Sequence, residues 1–322
     1  MGYGDRARYP REVFVRAIEL RAASIIVAHN HPSGNLSPSS EDDKLTNRLH
    51  EAGEVIGIPV IDSLILAETN MRRRALPSAV VLWEGASTIN RQKVVAIATG
   101  LVSPSRNRKT GPMATVWYLR QDVHPAEAIR RRADRAICGD CAFRGDHRSR
   151  ICYMMPMTPS SIWTAYRAGH TRRFGTDGGS PLRSTQFPTR LGGYGDPTCV
   201  PFGAIDVSAR HTGYTSLWGT CDPLWRFSLM ASAKTLEEAL EAQALGWRTY
   251  RTILSGERLL PNEIHCPHDP ADAQSPQCKD CMLCDGSRGR GDQRASIANV
   301  VHGGSGQAAK YRQWRASLPV VG

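Results

Sequence analysis

Two short apolar runs with a helix-patterned stretch between them constrain this chain most. Residues 24–28 (SIIVA) have the length of a buried strand and are too short for a core helix. Residues 59–67 (PVIDSLILA) read as a second strand, and residues 42–55 between them as a helix. Ahead of the first run, Val13, Phe14, Ala17 and Ile18 recur at helical spacing after Pro10, which suits a helix start. Helix, strand, loop, helix, strand is the order of an α/β layer arrangement.

The 322 residues exceed one typical domain and suggest two. Hydrophobic residues at 41% and charged residues at 22% are globular values, which excludes wholesale disorder. No run approaches about eighteen apolar residues and the N-terminus has no apolar signal core, so no membrane span is expected and a cytoplasmic location is. Nine cysteines in such a chain fit thiols or metal ligands better than a disulfide framework.

Downstream, residues 69–112 carry turn and linker chemistry, with residues 81–83 and 94–98 as the strand candidates. The expected organisation is a first domain over 1–70, a basic linker over 71–112 and a larger Cys-rich parallel α/β domain over 113–322. In the last, residues 115–119 read as a strand and 125–136 as a helix. The spacing of 227–231, 236–244 and 247–253 predicts a strand–helix–strand crossover between parallel strands. Gly192, Gly193 and Gly195 mark a tight turn whose spacing departs from a dinucleotide-binding loop.

The net charge is +11, and residues 71–150 supply +10 of it, with 16 Lys/Arg against 6 Asp/Glu. The dense points are residues 72–74, 106–109 and 130–132. Such a stretch suits a nucleic-acid backbone, and equally a solvated surface.

Two groups of residues carry metal chemistry. His29 and His31 stand at i, i+2 after the first strand, so their imidazoles share one side of an extended chain, and Asp42 at the next helix start can point back. Two nitrogens and a carboxylate oxygen suit zinc with an open fourth position, the arrangement that activates water. In the second group, Cys266 precedes Cys278, Cys281 and Cys284, and Cys138, Cys141 and Cys152 form a looser set. Structural zinc, an iron–sulfur cluster and unligated buried thiols all fit these spacings. Cys199 and Cys221 are isolated, which suits small buried apolar roles. Tyr194, His211, Tyr214 and Trp218 lie near turns as core or rim aromatics, or as pocket lining.

The string His29-Asn30-His31-Pro32-Ser33-Gly34, then Pro38-Ser39 and Asp42, resembles the JAMM (MPN) metalloprotease signature H-x-H-P-x(6)-S-x-x-D. With Pro10-Arg11-Glu12-Val13-Phe14 ahead of it, and Leu45-Thr46 and Ile61-Asp62 after it, the stretch looks like the RadC branch, which carries a DNA-repair name. The resemblance implies a zinc-dependent peptidase or isopeptidase fold. It makes His29, His31 and Asp42 zinc ligands and gives Ser39 a catalytic part, steadying water or an oxyanion.

It also implies a general-base glutamate on a strand upstream of residue 10, a position that Glu12 and Glu19 do not match. Glu41 and Asp43 lie on other faces of the helix that begins near Asp42. Feeble hydrolysis follows as an expectation, and an open sheet edge would favour self-association. Asp62-Ser63 stands where the branch usually has Asp-His. Residues from about 94 to 305 resemble uncharacterised phage and plasmid proteins. The non-enzymatic rival is a basic, metal-stabilised nucleic-acid-binding protein of a mobile element carrying a degenerate JAMM fragment.

Overall fold

The computed structural model describes residues 9–31, 39–66, 71–73, 79–102, 104, 106–145, 150–173, 180–206, 210–269, 272, 274–289, 291–301 and 306–318. The chain is mixed α/β and divides into two compact units, residues 1–78 with 101–103, and residues 79–100 with 104–322. Among the described residues no helix is long and apolar enough to cross a membrane.

The first unit runs α1 (Pro10–Glu19), β1 (Ile25–Asn30), α2 (Ser40–Ile56), β2 (Val60–Leu66) and β3 (Met71–Arg73). Pro10 supplies the first helical position of α1, where its missing N–H costs nothing. Phe14 and Ala17, one turn apart, then meet Leu49, Ile58 and Val60 in the core, with Val13, Ile25, Val27, Leu45 and Ala52 packed around them. Gly53 allows α2 to approach closely, since a Cβ there would lie 2.6 Å from the carbonyl oxygen of Ile58. Gly57, at φ 80°, closes α2 in the left-handed conformation that glycine adopts freely. β1 pairs parallel with β2, and β2 antiparallel with β3. Among the described residues β1 is therefore an edge of this sheet.

The second unit holds most of the strands. These are β4 (Ala79–Ala86), β5 (Lys93–Thr99), β6 (Arg106–Asn107), β7 (Gly111–Pro112), β8 (Ala114–Arg120), β9 (Arg172–Arg173), β10 (Thr189–Arg190) and β11 (His211–Thr212), followed by β12 (Tyr214–Thr215), β13 (Met230–Ala233), β14 (Thr249–Ile253), β15 (Glu263–His265) and β16 (Ser296–Val300). A mixed sheet has the order β11-β10-β8-β5-β4-β9, an all-parallel one the order β12-β13-β14-β16-β15, and β6 pairs with β7. The helices are α3 (Pro125–Arg130), α4 (Arg135–Cys138), α5 (Met157–Arg167), α6 (Pro181–Ser184), α7 (Leu236–Ala244), α8 (Cys278–Cys281) and α9 (Gln307–Ala316). α7 joins β13 to the parallel β14, which is the crossover read from the sequence. Its first strand begins at Met230, because residues 223–227 form a 3-10 turn.

Two expectations are corrected. The sequence pattern makes residues 71–112 a linker, but β4 and β5 are central strands of the mixed sheet, and Val94, Val95, Ala96, Ile97 and Ala98 are fully buried. The unit boundary falls at Ser78/Ala79. The single helix read over 125–136 breaks into α3 and α4, because Arg132 takes φ 55°, which a continuing α-helix cannot accommodate.

Candidate metal centre

Alternation along β1 aims the first two ligands. Ile25, Val27 and His29 share the inward face of the strand while Ile26, Ala28 and Asn30 are exposed. His31 follows on the same side, its amide donating to the Leu66 carbonyl at 2.9 Å, so the ladder with β2 extends up to the second ligand. Residues 32–38, the turn that returns the chain, lie outside the described residues, as do the side chains of Asp43 and Asp62.

The third ligand comes from the first turn of α2. Ser39 is the N-cap. Its hydroxyl accepts from the Asp42 amide at 3.2 Å, and its own amide donates to Asp42 Oδ2 at 2.7 Å, a reciprocal capping box. The Ser39 hydroxyl also lies 2.6 Å from Asp42 Oδ2. Asp42 is thereby turned toward the histidines, with Oδ1 3.2 Å from His29 Nε2 and Oδ2 3.4 Å from His31 Nε2. The two Nε2 atoms are 3.0 Å apart. Among the described residues these three form the one group whose ligand atoms all lie within 4.8 Å of one another. Two imidazoles and a carboxylate at that separation match a borderline-soft divalent ion such as zinc.

The electrostatics agree. Burial opposes ionisation of Asp42, but the Ser39 hydroxyl and amide and the two imidazoles outweigh it, so its pKa lies below the ordinary carboxylate value. All three side chains keep partial exposure, which leaves room for a substrate. Ser63 is buried in β2. Glu12 and Glu19 are held by Arg11 and Arg16 along α1.

This arrangement has counterparts of known family. Residues 4–74 match the family model of the RadC-like JAB domain. A UPF0758 protein of Picosynechococcus is 45% identical over 76 residues, which is 24% of this chain and 30% of that protein. One of Rubrobacter xylanophilus is 55% identical over 60 residues, 19% of this chain and 26% of its own. One of Symbiobacterium thermophilum is 51% identical over 71 residues, 21% and 30% respectively. The chain thus spans under a third of the length of these relatives. The JAB domain occupies the first unit and supplies all three converging ligands.

The cysteines lie in the second unit, and seven of the nine line two cavities. Cys266, Cys278, Cys281 and Cys284 line a small cavity of about 20 Å³ together with His268, Tyr214 and Lys109. The β6–β7 hairpin holds α8 there, since the amides of Cys278 and Lys279 donate to the carbonyls of Lys109 and Thr110, both at 3.0 Å. Burial pushes the Cys284 thiol up to about 12. Cys138, Cys141 and Cys152 line a larger cavity, and Cys199 is fully buried elsewhere in the core. Tyr194 and Tyr214 line that larger cavity, Trp218 is buried, and the His211 ring meets the Ser228 carbonyl at 3.0 Å.

The basic stretch is more paired than its composition suggests. Arg130 and Arg131 both form ion pairs with Glu127. Lys109 Nζ donates to Asn299 at 3.0 Å. The side chains of residues 72–74 and 106 lie outside the described residues.

Proposed function

We propose that the JAB domain is a zinc-dependent hydrolase of peptide or isopeptide bonds. The observation that carries this reading is the convergence of His29, His31 and Asp42, within 4.8 Å of one another, inside a RadC-like JAB domain. His29 and His31 would each present Nε2 to the ion, and Asp42 one carboxylate oxygen. When bound, zinc supplies an electrophile that activates water toward an amide carbonyl.

The protein's own residues supply placement. The β1–β2 ladder fixes the imidazoles along one strand face, and the capping box fixes the Asp42 rotamer. Ser39, with its hydroxyl on Asp42, steadies the ligand. Its single proton is given to Asp42 Oδ2, so it can reach the oxygen that becomes negative during attack only by turning away from the carboxylate. Among the described residues β1 is an edge strand, which supports self-association by strand pairing that Ile26→Lys on the exposed face should weaken in light scattering.

The test is hydrolysis of peptide and isopeptide-linked substrates by the full chain with zinc added or chelated. Zinc-dependent cleavage lost in His29→Ala and Asp42→Ala supports the reading. Cleavage that survives chelation and both substitutions contradicts it.

A further inference from the structure

The larger cavity of the second unit has a volume of about 460 Å³, in the range of small-molecule sites. Three thiols open into it. Cys138 ends α4, Cys141 follows after a tight turn, and Cys152 is brought back by its amide donating to the Phe143 carbonyl at 3.0 Å. Burial raises the Cys138 thiol well above its ordinary value, and Asp134, Cys141 and Cys152 nearby raise it further. A buried cluster of thiols is costly to ionise alone, and a metal reverses that cost.

The spacing distinguishes the kind of metal. A tetrahedral zinc with Zn–S of about 2.3 Å holds its sulfurs ~3.8 Å apart. Among the described residues only the JAB group has three ligand atoms within 4.8 Å of one another, so these thiols stand wider than one ion's shell. A cluster binds each thiolate to a separate iron and accepts that wider spacing.

The surroundings are cationic. Arg144, Arg150 and Arg190 line the cavity against Asp134 and Asp196. Asp134 is paired with Arg144 at 3.0 Å. Asp196 is buried, with its pKa raised by that burial, and accepts from Ser216 and Thr198 amides at 2.8 and 3.1 Å. The Cys152 thiol lies near Arg150 and raises its pKa, and the Ser216 hydroxyl lies 3.4 Å from Cys141 Sγ. Such contacts stabilise anionic sulfur and tune cluster potential. Among the described residues that line the cavity there is no fourth cysteine.

We propose that Cys138, Cys141 and Cys152 hold an iron–sulfur cluster with one iron left open to the cavity, where it takes a small ligand bearing a negatively charged group. Arg150 and Arg190 are placed to meet that group, and Tyr194, Gly192 and Gly193 form part of the wall.

The full chain, purified or reconstituted without oxygen, is tested for iron and acid-labile sulfide beside Cys138→Ala/Cys141→Ala. The double variant should lose about four irons per chain relative to the parent. Equal iron in both proteins, or zinc and no iron in the parent, overturns the proposal. Should the variant fail to fold, cyanide added to the reduced parent decides. A shifted electron paramagnetic resonance signal shows an open iron, and an unchanged spectrum shows that every iron is closed.

Discussion

The oxygen of Asp42 that faces His31 is the same oxygen that accepts the Ser39 amide at 2.7 Å, so helix capping and ligand placement share one carboxylate. Ser39→Ala removes the hydroxyl that accepts the Asp42 amide. It should cost about 1 kcal/mol of first-unit stability, and zinc affinity should fall roughly 10- to 100-fold as for other groups that orient a ligand. Ser39→Thr keeps the oxygen and should restore most of both. Thermal melts and competition with a zinc-chelating dye read the two effects, and an unaltered affinity in Ser39→Ala would separate capping from binding.

His50 should make the first unit sensitive to mild acid. Its Nε2 is buried with no hydrogen-bond partner among the described residues, and burial lowers its pKa below the ordinary histidine value. The unfolded chain takes up a proton below about pH 6.5 while the folded one resists it. This contribution is therefore flat at neutral and alkaline pH, and stability falls as pH drops below that point, levelling off under the depressed folded value. His50→Phe should lose this part of the slope. Melting midpoints of parent and variant between about pH 8 and 5 check it, and parallel curves would exclude His50 as the cause.

Arg251 and Glu263 form a buried ion pair in the second unit, with Glu263 fully enclosed and Oε2 2.6 Å from Arg251 Nη2. They reach each other across β16, which lies between their strands. Glu263 also accepts the Leu260 amide at 2.9 Å. Glu263→Ala should destabilise by about 3–5 kcal/mol, because it leaves a buried guanidinium with the Glu257 carboxylate and the Arg258 carbonyl but without its enclosed counter-ion. Denaturant unfolding of the second unit measures this; a loss under about 1 kcal/mol would show that the strands relax and admit water.

Cys281→Ser should lower the melting temperature of the second unit if the four-thiol pocket holds a metal, because affinity there is folding free energy. Chelation should lower the parent to the level of the variant. Identical melts for parent, variant and chelated parent would mark these thiols as ordinary buried side chains.

What could be read from the sequence was what local periodicity encodes. Phe14 and Ala17 at helical spacing, the two apolar runs and the H-x-H alternation all set the first unit. Ser39-x-x-Asp42 also carries a capping signature, so the dual use of that carboxylate was within reach of the sequence. The strand candidates at 81–83 and 94–98 are parts of β4 and β5, but the Arg, Ser and Gly around them imitate a linker locally and hid their place in a sheet, where they pair with each other and with β8 and β9. Strands of two residues, such as β10 and β12, have no periodicity to detect. The cavity at Cys138, Cys141 and Cys152 draws residues from Asn107 to Ser232, so its shape exists only after folding.

The most direct measurement is the zinc content of the purified full chain beside His29→Ala and Asp42→Ala. The parent should hold zinc at the JAB domain in a ratio of about one per chain, and each variant should lose that equivalent, since an open three-ligand site deprived of one ligand no longer binds tightly. Zinc content unchanged in both variants would contradict the metal centre and the hydrolase built on it.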